Sequence, residues 1–252
     1  MIKNYTLLVL LPVAMTLISF HFPQGDGDEK MVPTLADLCK KYGSDKCPGR
    51  HNFTTFYELY FSQVRESADK VLEIGILYGT SMRLWRDYFE KATIYGMDII
   101  DCSKMDSDRI KTFQGDQGNK DSIQSMVDKF GSDFDIILDD GSHWVSHQQI
   151  SFGVLFQHLK PGGYYIIEDL HTSLPEFYPY RYDVNEEETN TTLGMLIDYI
   201  RTADLASEYL TEYEIEYIML NAEWVALHHQ VGELQSITGV IRKKEVEVVP
   251  GR

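Results

Sequence analysis

Apolar positions through the middle of the chain follow two alternating rhythms. Short, nearly unbroken apolar runs at Val71 to Ile74, Thr93 to Met97, Ile110 to Phe113, Phe134 to Leu138 and Tyr164 to Ile167 read as buried strands. Between them, apolar residues return at helical spacing over Met82 to Phe89, Asp121 to Phe130 and Gln148 to Leu159. Upstream, Thr34 to Lys41 predicts a short helix, and Thr55 to Arg65 carries an aromatic stripe at helical spacing that reads as packing. Lys160-Pro161-Gly162-Gly163 reads as a turn, and Thr191 to Leu205 as a helix. Glu212 to Leu220, Glu223 to Leu227 and Ser236 to Arg242 alternate like half-exposed strands, the last two as a terminal hairpin. Strands that alternate with helices and then pair at the end predict an α/β fold. Its sheet is mostly parallel and doubly wound, with an antiparallel edge.

Ligands of such sheets sit beyond the carboxyl ends of the strands. Polar residues gather at those ends in strand after strand: Glu73 to Gly75, Asp98, Asp116, Asp139 to His143, and Glu168-Asp169. Structural strands have no need of acids at the same end each time, so the convergence argues for one site. Gly75 and Gly79 allow the backbone close to a ligand, Thr80 and Ser81 can cap the next helix, and Asp98 can accept hydrogen bonds from ribose hydroxyls. The spacing Glu-x-Gly-x-x-x-Gly from Glu73 to Gly79 is not that of a dinucleotide fingerprint.

Asp140, Glu168 and Asp169 bring carboxylates together that repel one another unless a cation lies between them. Oxygen donors without thiolates suit Mg²⁺, Mn²⁺ or Ca²⁺. For Asp139 or Asp140 singly, capping the following helix is the plain alternative. His143 can take up a proton near neutrality, or pair with His147 as a ligand on one helix face. The H-E-x-x-H zinc motif is excluded because Trp144 stands where its glutamate belongs. His171, His228 and His229 read as packing or surface residues.

Composition narrows the partners. The chain has 252 residues, 43% of them hydrophobic, enough for one α/β domain and an appendage. A net charge of −16 excludes a nucleic-acid backbone as partner and leaves acids spare for a metal. Tyr5 to Phe22 contains no acid, lysine or arginine and has the length of a minimal bilayer span. Lys3 before it places the N-terminus in the cytoplasm, and the absence of an A-x-A-like site favours an uncleaved anchor over a signal peptide. The expected organisation is an anchor or signal segment over 1–23, a linker over 24–33 and the catalytic domain over 34–252. Cys39 and Cys47 can bridge across the turn between them, leaving Cys102 free, or all can be reduced thiols. The sequons at Asn52 and Asn190 are compatible with a secretory location.

Several segments together resemble a known family. They are YGSDK (42–46), HNFTTFYE (51–58), LEIGILYGTSMRLW (72–85), IYGMDI (94–99), RIKTFQGDQGN (109–119), FDIILDDGSH (134–143) and LFQHLKPGGYYIIEDLHTS (155–173). In that order they resemble the macrocin- and mycinamicin-type sugar O-methyltransferases, related to cephalosporin-hydroxylase-like proteins. The resemblance implies a Rossmann-like class I methyltransferase with S-adenosylmethionine (SAM) and Mg²⁺ (or Mn²⁺) as cofactors and sugar hydroxyls as acceptors. Carried over by position, Asp140, Glu168 and Asp169 hold the metal and His143 is the base. Glu73, Gly75, Gly79, Ser81, Asp98 and Asp139 serve the cofactor, with Asp116 and Gln117 near its adenine. Together with the apolar N-terminal run, this gives the expectation of a membrane-anchored enzyme in the Golgi or ER lumen, or a secreted one, methylating a glycan or glycoconjugate. A catechol-like small-diol methyltransferase and a non-catalytic SAM-binding protein are the alternatives. Tyr178, Tyr180 and Tyr182 either stack on a sugar face or pack their loop.

Overall fold

A computed structural model describes residues 32–180, 183, 191–230 and 234–246. Tyr5 to Phe22, Asn190, Tyr182 and the side chains of Tyr178 and Tyr180 lie outside the described residues. Two helices, α1 (Leu35–Tyr42) and α2 (Phe53–Val64), precede the sheet. The alternating part runs β1 (Lys70–Ile74), α3 (Thr80–Tyr88), β2 (Thr93–Asp98), β3 (Ile110–Gln114), α4 (Lys120–Phe130), β4 (Phe134–Asp139), α5 (Val145–Leu155) and β5 (Leu159–Ile167). Then follow α6 (Thr192–Thr202), α7 (Glu212–Asn221), β6 (Ala222–Gln230) and β7 (Ser236–Lys243).

The sheet has seven strands in the order β3-β2-β1-β4-β5-β7-β6. The first five are parallel, and β7 runs antiparallel to both β5 and β6. This is the expected doubly wound sheet with an antiparallel edge. Period-two alternation explains the unbroken apolar runs. Leu72, Ile137 and Tyr165 enter a core on one face, while Val71, Ile136 and Tyr164 enter a core on the other. The aromatic stripe of α2 is packing, as expected: Tyr57 stacks on Phe61 with centroids 4.9 Å apart, and both meet Trp85.

Helix ends follow their local chemistry. Thr34 and Asp37 form a capping box on α1, and Gly43 closes it in the left-handed region at φ 69°. The Asp183 carboxylate accepts the first N–H groups of α5, from Val145 at 2.7 Å and Ser146 at 3.0 Å. Cys39 and Cys47 are bridged, with Cα atoms 5.4 Å apart, and Cys102 is free.

The structure corrects two expectations of secondary structure. Glu212 to Leu220 is not a strand but most of α7. Its alternation of glutamate with apolar residues is overridden by a Thr211–Glu214 capping box, whose hydroxyl and carboxylate each accept the other residue's N–H. The helix expected to reach Leu159 ends as an α-helix at Leu155 and tightens into a 3-10 turn over Phe156–His158. β5 starts at Leu159 and takes in the Lys160–Gly163 turn as an irregularity, where pairing jumps from Phe134–Leu159 to Ile136–Tyr164. Among the described residues, no helix is long and apolar enough to cross a membrane.

Two outcomes test this account. Thr211→Ala should destabilise the fold by about 0.5–2 kcal/mol, read from the denaturant midpoint, because it removes a helix cap. A strand at Glu212 would leave the midpoint unmoved. Lys243 is buried and donates to the carbonyls of Phe156, Gln157 and Leu159, and burial lowers its pKa from 10.5 to about 8. The unfolded chain therefore binds this proton more tightly than the folded one. Stability relative to Lys243→Met should rise as pH increases from about 8 to 10.5, and a flat difference would contradict the assignment.

Candidate active site

The order of strands reverses between β1 and β4, and a cavity of about 640 Å³ opens beyond their carboxyl ends. Gly75, Ser81, Asp98, Asp116, Gln117, Asp140, His143 and Asp169 all line it. Asp45, Trp144 and His147 line it as well.

On one side lies the glycine loop. Gly75 adopts φ 89°, and a Cβ there would meet the Asp140 carbonyl oxygen at 2.0 Å. Gly79, at φ 65°, starts α3. Asp98 grips the loop: Oδ2 accepts from the N–H groups of Ile76 at 2.7 Å and Leu77 at 3.1 Å, and Oδ1 accepts from Ile100 at 3.0 Å. A carboxylate offers about four acceptor sites, so capacity for a ribose hydroxyl remains.

Three residues assigned to the cofactor act chiefly as braces. Glu73 is fully buried, absent from the cavity lining, and accepts from Ser81 Oγ at 2.7 Å. Burial pushes its pKa up to about 7. Asp139, 1% exposed, accepts from Gln117 Nε2 at 2.9 Å and from the Ser151 hydroxyl, and burial raises it to about 6. Gln117 in turn accepts from the Ser142 N–H at 2.8 Å, which locks the loop after β3 to the loop after β4. Asp116 faces the cavity and accepts from the Gly118 N–H at 2.8 Å.

On the other side lies the acid cluster. Asp140, His143 and Asp169 each offer a ligand atom within 4.8 Å of the others. His143 Nε2 stands 3.5 Å from Asp169 Oδ2. Asp169 accepts from Ser236 Oγ at 2.7 Å. Burial disfavours the Asp169 charge, but His143 and the Ser236 bond outweigh it and hold the pKa below the usual carboxylate value. Burial raises Asp140, against the pull of Lys46.

The expected trio of acids is divided. Asp140 and Asp169 meet in the cavity with His143, whereas Glu168 is fully buried behind them. Its Oε1 accepts from Tyr57 Oη at 2.5 Å and its Oε2 from Lys46 Nζ at 2.7 Å. Burial, then the Asp140 charge, raise its pKa well above the usual range. Glu168 does not line the cavity.

His147 bonds Ser142 Oγ through Nδ1 at 2.9 Å and stands outside the ligand group. His228 is a packing residue, as expected, stacked on Phe56 and bonded to Tyr60 Oη at 2.6 Å. His171 also packs, its ring edge-on to Phe177 with centroids 4.7 Å apart. Its Nδ1 lies 3.6 Å from Asp169 Oδ1. Sequence reasoning gave no role to Lys46 or Tyr57. Their only signal was membership in the YGSDK and HNFTTFYE segments.

The donor set suits a hard or borderline divalent cation: two carboxylates and an imidazole on one cavity wall. His143 Nδ1 is buried without a hydrogen-bond partner, so the ring is not committed elsewhere. The Gly75 cradle and a cavity of about 640 Å³ suit a nucleoside-sized cofactor.

No family model matches the chain. It is 38% identical over 194 residues to mycinamicin VI 2''-O-methyltransferase of Micromonospora griseorubida, a match covering 73% of this chain and 48% of that protein. It is 38% identical over 176 residues to 8-demethyl-8-alpha-L-rhamnosyl tetracenomycin-C 2'-O-methyltransferase of Streptomyces olivaceus, covering 67% of this chain and 45% of that protein. Among solved structures, MycE methyltransferase from the mycinamycin biosynthetic pathway, in complex with Mg, SAH and mycinamycin VI, superposes with a TM-score of 0.70 at 30% identity. That match covers 88% of this chain and 57% of that one. The chain thus spans about half the length of the curated relatives it matches.

Fold and site together define a Rossmann-like class I methyltransferase domain. Over that domain the chain belongs to the macrocin- and mycinamicin-type sugar O-methyltransferases. The expectation of a membrane-anchored Golgi or ER enzyme, or a secreted one, is corrected. The relatives are named as O-methyltransferases of mycinamicin VI and of a rhamnosyl tetracenomycin, and among the described residues no helix is long and apolar enough to cross a membrane.

Proposed function

We propose that this chain is a SAM- and divalent-metal-dependent O-methyltransferase acting on a sugar hydroxyl of a glycoside. The observation that carries the reading is the placement of Asp140, His143 and Asp169 on the same cavity as the Gly75 loop and Asp98. The named activities of the relatives support the hydroxyl as acceptor.

Asp140 and Asp169 would hold the metal, with His143 beside them and Glu168 behind them. Gly75, Gly79 and Asp98 would hold the cofactor, with Asp116 and Gln117 toward its adenine. When bound, the ion supplies Lewis acidity of the kind that lowers the pKa of water from ~15.7 to ~7, and SAM supplies the methyl group. His143 Nε2 accepts the hydroxyl proton, and the adjacent Asp169 carboxylate stabilises the resulting imidazolium. The glycine loop and the acid cluster are fixed to each other through backbone contacts, which sets the approach of oxygen to methyl before reaction.

Asp140→Ala should abolish labelled-methyl transfer from SAM to a glycoside panel with Mg²⁺ present. Full turnover of the native chain in chelator would remove the metal from the account. His143→Ala should leave SAH binding intact by calorimetry and lower transfer by about 10²–10⁴-fold. Equal activity in that variant would remove His143 as the base.

A further inference from the structure

The loop between α1 and α2 carries a lysine into the acid cluster that the chemistry above does not use. Lys46 is 1% exposed and does not line the cavity. Its Nζ lies 2.5 Å from Asp140 Oδ2, 2.7 Å from Glu168 Oε2 and 3.9 Å from Glu73 Oε1. One ammonium therefore meets carboxylates from the ends of β1, β4 and β5. Two of these are also held from the far side, Glu168 by Tyr57 and Glu73 by Ser81. Asp140 alone is shared between the lysine and the open cluster with His143 and Asp169.

The support for this ammonium is rigid. Cys47, the next residue, is bridged to Cys39 on α1. The Lys46 N–H donates to Ser44 Oγ at 3.3 Å, and the Lys46 carbonyl accepts from the Thr54 N–H at 3.2 Å. The ammonium sits 5.6 Å from the centroid of the Phe53 ring. Buried ion pairs contribute little net stability over apolar packing of the same volume, so stability alone does not account for a cluster this costly to desolvate.

We propose that Lys46 is a positioning residue for the metal-holding carboxylates, a fixed internal cation that orients Asp140 and Glu168 from outside the cavity. The inference rests on the reading that this cluster holds a divalent ion. It makes a prediction opposite in sign to that of a bystander charge. A lysine acting only through its charge repels the ion, so its removal would tighten binding. Removing a positioning lysine loosens it.

The test uses the full chain and Lys46→Met, with Mn²⁺ affinity read from the paramagnetic resonance of free Mn²⁺ and SAH affinity from calorimetry on the same samples. Mn²⁺ binding should weaken about 10–100-fold while SAH affinity holds. Unchanged or tighter Mn²⁺ binding overturns the proposal, and so does an equal loss of both ligands, which would make the role merely structural. Absence of Mn²⁺ binding in the native chain would instead overturn the metal reading itself. If Lys46→Met does not fold, Lys46→Arg serves. It keeps the charge, but its planar fork does not reproduce the three contacts, so weaker Mn²⁺ binding is again expected, and native affinity refutes the proposal.

Discussion

The close approach of two chain segments at Gly75 and Asp140 governs everything else at this site. The Asp140 N–H donates to the Ile74 carbonyl at 3.0 Å, and the space where a Gly75 side chain would begin is filled by the Asp140 carbonyl. This contact joins the glycine loop after β1 to the acid loop after β4, across the point where the strand order reverses. Cofactor and metal determinants are therefore not independent modules. Their spacing is set by backbone packing that tolerates no Cβ, and a transfer reaction that depends on the alignment of two groups gains from such fixed spacing.

Around that contact the acids serve two purposes. Asp98, Asp116, Asp140 and Asp169 face the cavity, while Glu73, Asp139 and Glu168 lie behind it, each bound to a donor within the fold. The division is one of depth rather than of sheet face, since Glu73, Asp140 and Glu168 share the face on which Lys46 meets them, yet of these only Asp140 lines the cavity. In each of the pairs Asp139-Asp140 and Glu168-Asp169, one acid turns to the cavity and the other to the interior. The buried members cost desolvation energy, visible in the raised pKa values of Glu73 and Asp139. Lys46, Gln117, Ser81 and Ser151 offset that cost and tie the loops together.

The parallel strands were legible because burial on both faces leaves unbroken apolar runs such as Ile136-Ile137-Leu138. The convergence of polar strand ends was legible for the same reason, since strand direction alone decides which ends coincide. What the chain did not reveal was which acid of each pair faces inward. That depends on the last residue before the loop, and element boundaries are uncertain by a residue or more. α7 was misread because alternating Glu-Tyr-Glu-Ile-Glu mimics a strand, although the Thr211-x-x-Glu214 capping signature was present. Lys46 was invisible for a different reason. A charged residue in a polar loop normally seeks water, and only the folded arrangement of three distant carboxylates gives it a buried destination.

The antiparallel edge of the sheet takes part in the site through its direction. His143 and Asp169 both occupy the left-handed backbone region, at φ 62° and 54°, where a residue other than glycine costs about 1–3 kcal/mol. Such conformations persist only where surrounding bonds over-determine them. Thr172 supplies one set, its hydroxyl donating to the His143 carbonyl at 3.1 Å and its N–H to the Asp169 carbonyl at 3.0 Å. The other comes from β7, whose Ser236 hydroxyl holds the Asp169 carboxylate. Because β7 runs against β5, its first residue lies beside the last turn of chain after β5, as the Ile167–Gly239 pairing shows. A parallel strand in that place would begin at the opposite end of the sheet and leave Asp169 without this support. The reversal that ends the doubly wound pattern thus helps to hold the strained acid in reach of His143.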